Sequence, residues 1–403
     1  MGFIAKYRRE LKDVWEELIA LTITTLGSGL TGIIFGLGNV IIAMKSSVLM
    51  LAPASMGMRG NIYSSLGSRL GSLLHLGYIE PKISKNPLLI ENVLGVLTLK
   101  TTLTIYIGVL ASLAYLYISG LLDIVDLTLI GFLTTFMALP IMLAVTFTVT
   151  FITFSRGLDP DNFSAPVITL AGDVISLPIL LISTYIVLKT HLNLKYVVLI
   201  LSILLTASLV SYVIFSKREY LRRVVFEAAP ILMICGLLEM FAGSALTVNV
   251  ERILAQAGIL TIVPGFLEDS GALGGILAAR ISTKLHLGEI EPKLLPSIKV
   301  VKEFVKIFTV ALLIYPALGT YGYFVAKILK LPIPSLITIV MSVLVAGVFL
   351  LIVMLFMVYF VSIMSFKKGL DPDNITIPLI TSGIDAIGTF ILMYSLLIVA
   401  PYG

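Results

Sequence analysis

Long apolar runs fill this chain almost end to end, at approximately residues 18–43, 47–74, 92–119, 126–154, 164–188, 193–215, 229–254, 258–285, 302–326, 333–363 and 376–399. A hydrocarbon core about 30 Å thick is crossed by roughly 20 such residues in a helix. No water is available there, so backbone polar groups must pair internally, which leaves helices or a closed barrel. The runs are continuous Leu, Ile, Val and Gly, without the apolar–polar alternation of barrel strands. The expectation is an all-α polytopic membrane protein of about 11 spans. Composition agrees, since 58% of the 403 residues are hydrophobic and 13% charged, whereas soluble domains are nearer half and a quarter. The second and eighth runs are the most polar and the richest in Gly.

The basic residues of the ends and loops follow the rule that Lys and Arg collect on the cytoplasmic side. Lys6, Arg8, Arg9 and Lys12, then Lys82 and Lys85, Arg156, Lys217, Arg218, Arg222 and Arg223, Lys293 and Lys299, and Lys367 and Lys368 mark one side. Lys189, Lys195, Lys327 and Lys330, with Asp123 and Asp126, mark the other. This gives a multi-pass cell-membrane protein with a cytoplasmic amino terminus and an extracytoplasmic carboxyl terminus. The net charge of +5 reflects topology, not nucleic-acid binding. A single cysteine, Cys235, excludes an internal disulfide framework and a thiolate metal cluster. Met1 to Glu17 is charged and amphipathic, without a signal-peptide cleavage pattern.

The chain repeats itself. Arg69-Leu70-Gly71-Ser72-Leu73-Leu74-His75-Leu76-Gly77 is echoed by Arg280-Ile281-Ser282-Thr283-Lys284-Leu285-His286-Leu287-Gly288, 211 residues later. Gly157-Leu158-Asp159-Pro160-Asp161-Asn162 returns as Gly369-Leu370-Asp371-Pro372-Asp373-Asn374 at an offset of 212. So small a drift implies duplication of a whole unit, here 1–189 and 218–403, each with five spans. The run within 190–217 belongs to neither and is read as a peripheral connecting helix. That odd span restores the orientation of the first half, giving parallel repeats about a pseudo-two-fold axis along the membrane normal.

Each unit carries one carboxylate deep in its last span. Pro166, Thr169 and Asp173 step by three and four residues and share a helix face, as do Pro378, Thr381 and Asp385. An intramembrane acid is costly and marks an ion or proton path unless a neighbouring helix satisfies it. The Asp-Pro-Asp-Asn segments read as turns, with Ser164 and Thr376 available as helix caps. Their acids Asp159, Asp161, Asp371 and Asp373 are candidates for a cytoplasmic mouth. Pro53, Gly57, Gly60, Asn61, Gly67 and Gly71 punctuate the second span; Pro264, Gly265, Gly271, Gly274 and Gly275 punctuate the eighth. That density argues for broken helices with carbonyls free to face a cation, or alternatively for close helix packing. Oxygen donors from carboxylate, Thr and Asn suit a hard ion such as Mg²⁺, which retains much of its water. His75 and His286 occupy equivalent helix ends. The copies differ where Arg59 and Asn61 correspond to Ser270 and Ala272, and Arg59 could pair with Glu268 or Asp269.

These residues resemble the MgtE-type divalent-cation transporter domain: Asp-Pro, then Pro-x-x-Thr-x-x-x-Asp opening the last of five spans, with Gly-Asn in the second. Two such domains in one chain resemble solute carrier family 41, and the likeness covers 8–189 and 219–401. The resemblance implies a central pore between the repeats that imitates a homodimer, so that a monomer suffices. It also implies Mg²⁺ or a related divalent cation as the transported ion, with no organic cofactor. Its metal-handling residues would be Asp173, Asp385, Thr169, Thr381 and, in one copy, Asn61. The cytoplasmic sensing domains of bacterial MgtE are expected to be absent. No nucleophile–base pair points to an enzyme. The alternatives are a Na⁺- or H⁺-coupled Mg²⁺ exchanger and a non-transporting membrane scaffold or receptor.

Overall fold

The computed structural model describes residues 25–156, 160–293, 295–368 and 372–399, with backbone alone at 160–166, 286 and 372–377. All regular structure among the described residues is helical. The elements are α1 (Thr25–Leu37), α2 (Asn39–Met44), a 3₁₀ turn at Ser46–Met50, α3 (Ala52–His75), α4 (Pro87–Ser119), α5 (Ile124–Ser155), α6 (Pro160–Lys189) and α7 (Leu192–Phe215). There follow α8 (Glu219–Val248), α9 (Val250–Ala255), a 3₁₀ turn at Ala257–Thr261, α10 (Val263–His286), α11 (Ile298–Ile328), α12 (Leu336–Lys367) and α13 (Pro372–Val399). Eight segments among the described residues are long and apolar enough to cross a membrane: α4 to α8, α10 with the turn before it, α12 and α13. The rest of the expected eleven correspond to α1, α3 and α11. The described part of α1 is short, α3, of 24 residues, is more polar than the eight, and α11 is an apolar helix of 31 residues.

The duplication extends to the element boundaries. α3 and α10 start 211 residues apart, at Ala52 and Val263, and α6 and α13 start 212 apart, at Pro160 and Pro372. Both last helices open at the proline of Asp-Pro, whose ring presets the helical φ and whose missing N–H costs nothing in a first turn. Ser164 and Thr376 therefore fall inside the helices and do not cap them. The broken-helix expectation also fails, because α3 and α10 are each continuous over 24 residues. The interruption lies just before each of them, where a short helix and a 3₁₀ turn precede Leu51 and Ile262. Gly60 lies against Thr169 of α6, Gly265 against Leu318 of α11, and Gly271 and Gly274 against α13, close approaches that offset glycine's cost of about 1 kcal/mol in a helix.

Packing divides the chain into two compact units, Val40–Val248 and Met1–Asn39 with Asn249–Gly403. These cut across the repeats, because each repeat's first helix packs with the other repeat's remaining helices. α8 lies on the first repeat's 3₁₀ turn, where a Cβ at Gly243 would come 2.4 Å from the Met50 carbonyl oxygen. α1 lies on the second repeat's turn in the same manner, where a Cβ at Gly32 would come 2.3 Å from the Thr261 carbonyl oxygen. Residues 32 and 243 are equivalent by the 211 offset, as are 50 and 261. In the first of these units Glu91 of α4 accepts from the Leu221 amide in the first turn of α8 at 3.2 Å. In the other, Thr25 of α1 donates to Asp269 of α10 at 2.8 Å.

α7 exposes Leu194, Val197, Ile200, Leu201 and Leu204 and buries Ser202, Thr206 and Val213, in keeping with a peripheral span. Its first turn is anchored by charge. Lys195 pairs with Asp126 at 2.8 Å, and Lys45 pairs with both Asp126 and Asp123 at 2.8 Å. Ser47 donates to Asp123 at 2.6 Å. The network joins the entrance of α3, the α4–α5 turn and the start of α7.

Candidate cation site

Within the unit Val40–Val248, α6 runs against α3 at the level of Arg59, Gly60 and Asn61. A Cβ on Gly60 would approach Thr169 Cγ2 to 3.0 Å, and one on Gly172 would meet Arg59 Cβ and the Gly60 amide nitrogen at 3.7 Å. Two glycines let the backbones close, and this brings the Thr169–Asp173 face onto α3. Asp173 is buried, at 8% exposure, while Thr169 and Asn61 are half-buried. Arg59, 3% exposed, lies in electrostatic reach of Asp173 and donates from Nη2 to the Thr134 carbonyl at 3.1 Å.

The other unit repeats the arrangement on α10 and α13. A Cβ on Gly271 would lie 3.8 Å from Thr381 Cγ2, so the Gly60–Thr169 juxtaposition recurs at equivalent positions. Thr381 donates back to the Pro378 carbonyl at 3.1 Å, and Asp385, half-buried, offers its carbonyl to Thr389 at 2.6 Å. The threonine of the repeated Pro-x-x-Thr-x-x-x-Asp signature therefore faces the glycine-bearing helix of its own repeat in both copies.

The copies diverge beside this shared frame. Asp269 is fully buried and accepts from Thr25, whereas Arg59 has Thr134 and Asp173 as its partners. Asn61 stands on α3 where α10 has Ala272. Asp159 and Asp371 lie outside the described residues, as do the side chains of Asp161 and Asp373, so the mouth expected there has no described geometry. His75 is an exposed helix-end residue, edge-on to Phe154 at 5.2 Å; the His286 side chain is not described. Among the described residues no three His, Cys, Asp or Glu side chains gather as a metal cluster. A carboxylate and a threonine hydroxyl in each copy, with an amide in the first alone, are oxygen donors of the kind a partly hydrated ion accepts.

Sequence reasoning overlooked Lys100. It is 5% exposed in α4, with Nζ 5.1 Å from the Tyr63 ring centroid and in electrostatic reach of Arg59. The rule that singled out the aspartates, a charge inside an apolar run, applies equally to this lysine.

Comparison with known proteins places the chain in a family. The family model MgtE, described as divalent cation transporter, matches residues 52–183 and again 263–395. Solute carrier family 41 member 2 of Homo sapiens is 27% identical over 372 residues, which is 87% of this chain and 64% of the relative. The Gallus gallus protein of the same name is 27% identical over 86% of this chain and 63% of its own length. Solute carrier family 41 member 3 of Rattus norvegicus is 24% identical over 86% and 78%. The chain thus spans a little under two thirds of the length of the member 2 proteins it matches. These relatives are solute carriers, not enzymes. No solved structure matches.

Proposed function

Since this chain belongs to the MgtE family of divalent cation transporters, we propose that it moves Mg²⁺ across the membrane along one path lined by Asp173, Thr169 and Asn61 from one repeat and Asp385 and Thr381 from the other. The observation that carries this reading is the recurrence of one Gly–Thr helix contact, with an aspartate four residues beyond the threonine, in both units. A carboxylate at that depth attracts a cation, and a neighbouring hydroxyl can bond its retained waters. In this reading the repeats lie parallel, with the amino terminus cytoplasmic, and the chain acts as a monomer. The Lys45–Asp123–Asp126–Lys195 network supports that topology, because it ties together only segments assigned to the outer face.

The test is Mg²⁺ uptake by proteoliposomes containing an Mg²⁺-sensitive dye. Wild-type protein takes up Mg²⁺, and Asp173→Asn and Asp385→Asn each cut the rate at least tenfold while the protein remains folded. Wild-type rates in both variants would remove the aspartates from the path. Flux without Na⁺ or proton gradients identifies a channel, and strict dependence on one identifies a coupled exchanger.

A further inference from the structure

Between α3, α4 and α5 lies a cavity of about 30 Å³, lined among others by Ser55, Arg59, Lys100, Thr104 and Thr135. Arg59 and Lys100 are both almost fully buried, and neither has a carboxylate within ion-pair distance among the described residues. Arg59 Nη1 is buried without a hydrogen-bond partner. Thr104 and Thr135 share a 2.8 Å hydrogen bond, which uses one hydroxyl proton and leaves the other available. The polar side chains lining this space are predominantly donors, two of them cationic. Asp173 is the acid in reach of Arg59. In a low-dielectric interior a buried charge requires a partner.

The second repeat shows the same place built without cations, with the buried acid Asp269 standing where the first repeat has Met58. By the repeat offsets, Ser55, Arg59, Lys100, Thr104 and Thr135 correspond to Phe266, Ser270, Ala311, Tyr315 and Gly347. There the Tyr315 ring packs on Phe266 at 5.5 Å between centroids, and its hydroxyl lies 3.1 Å from Ser270 Oγ. A Cβ on Gly347 would fall 2.1 Å from that ring, so the glycine makes room for it. One fold position is thus filled by aromatic carbon in one copy and bordered by two cations and hydroxyls in the other.

We propose that the first repeat binds a monatomic anion of the chloride class in this cavity, held by Arg59 Nη1 and Lys100 Nζ with the Thr104–Thr135 hydroxyl pair. The volume admits one such ion or a water or two. Because the site does not include the aspartates, its test requires no Mg²⁺ and is independent of the transport reading.

The experiment uses the full chain in nanodiscs, without divalent cations, titrated with NaCl against sodium gluconate at constant ionic strength. Chloride raises the melting temperature saturably by roughly 2–4 °C, and radiochloride binds at one ion per chain. Lys100→Met abolishes both effects. A five-residue transplant of the second repeat's solution (Ser55→Phe, Arg59→Ser, Lys100→Ala, Thr104→Tyr, Thr135→Gly) keeps the test available should the single variant not fold. It is expected to fold and to melt at the same temperature in either salt. Absence of saturable radiochloride binding to the wild type overturns the proposal. So does an unchanged chloride response in either folded variant.

Discussion

Gly60 of α3 and Thr169 of α6 meet with no room to spare: a methyl group at position 60 would sit 3.0 Å from Thr169 Cγ2, whereas its counterpart at Gly271 would sit 3.8 Å from Thr381 Cγ2. The contact is conserved in kind between the repeats but not in tightness. Gly60→Ala is expected to push Thr169 off its position, lower Mg²⁺ flux and cost about 1–3 kcal/mol by overpacking. Gly271→Ala fits in ordinary van der Waals contact and gains up to about 1 kcal/mol of helix propensity. Melting temperature and dye-detected flux of the two variants, side by side, provide the check.

The exchange of first helices rests on two glycines that each lie against a backbone carbonyl, which cannot rotate away as a side chain does. Gly32→Ala and Gly243→Ala should each destabilise the protein by about 1–3 kcal/mol or more, and by similar amounts, since 2.3 Å and 2.4 Å are equally impossible approaches. Detergent-solubilised melting curves measure this. Tolerance of alanine at both positions would contradict the exchange.

Gly347 and Tyr315 form a matched pair. Gly347→Ala places a methyl group in the Tyr315 ring and is expected to cost about 1–3 kcal/mol. Tyr315→Phe retains the packing and loses only the hydroxyl contact to Ser270, for about 1 kcal/mol. The double change Gly347→Ala with Tyr315→Thr, which imitates the first repeat's small side chains, should melt higher than Gly347→Ala alone.

Lys45 holds two half-buried aspartates, and Lys45→Met leaves Asp126 with Lys195 alone and Asp123 with the Ser47 hydroxyl alone. The expected loss is roughly 1–3 kcal/mol, accompanied by a looser α7 start, visible as faster amide exchange near Lys195. Burial pulls the Lys45 ammonium down, but hydrogen bonds to Asp123 and Asp126 and their charge outweigh it, so its pKa is raised above the usual lysine value. A raised folded pKa means the contribution is complete below the ordinary lysine range and is lost only as pH climbs through the folded value. The melting-temperature difference between wild type and Lys45→Met should therefore stay constant from about pH 6 to pH 9.

The helical class, the duplicated unit and the Thr–Asp face were all visible in the sequence, because each is a matter of periodicity: apolar length, a constant offset, a three-and-four step. The glycines of α3 and α10 were harder to read. Glycine weakens an isolated helix yet permits backbones to close, and only the presence of α6 and α13 decides which effect prevails. Ser164 and Thr376 looked like caps because Asp-Pro was read as a turn, although a proline can equally open a helix. Which repeat Gly32 and Gly243 pack upon could not be read at all, since an offset identifies equivalent residues but not their neighbours. Lys100 was legible and was passed over because it has no charged counterpart at Ala311.

The reciprocal seating of α1 and α8 has a consequence for biosynthesis. Synthesis proceeds from the amino terminus, so α8 emerges directly after the helices it joins, and the unit Val40–Val248 can close while the rest of the chain is still on the ribosome. α1 has no such partner. Gly32 is made 229 residues before Thr261, an interval of roughly 10–50 s at ribosomal rates of 5–20 residues per second. Throughout it Gly32 lacks the Thr261 carbonyl it packs against, and that contact is available to insertion chaperones. A nascent chain that stalls before α10 leaves a finished unit tethered to an orphan helix, which a quality-control system can recognise.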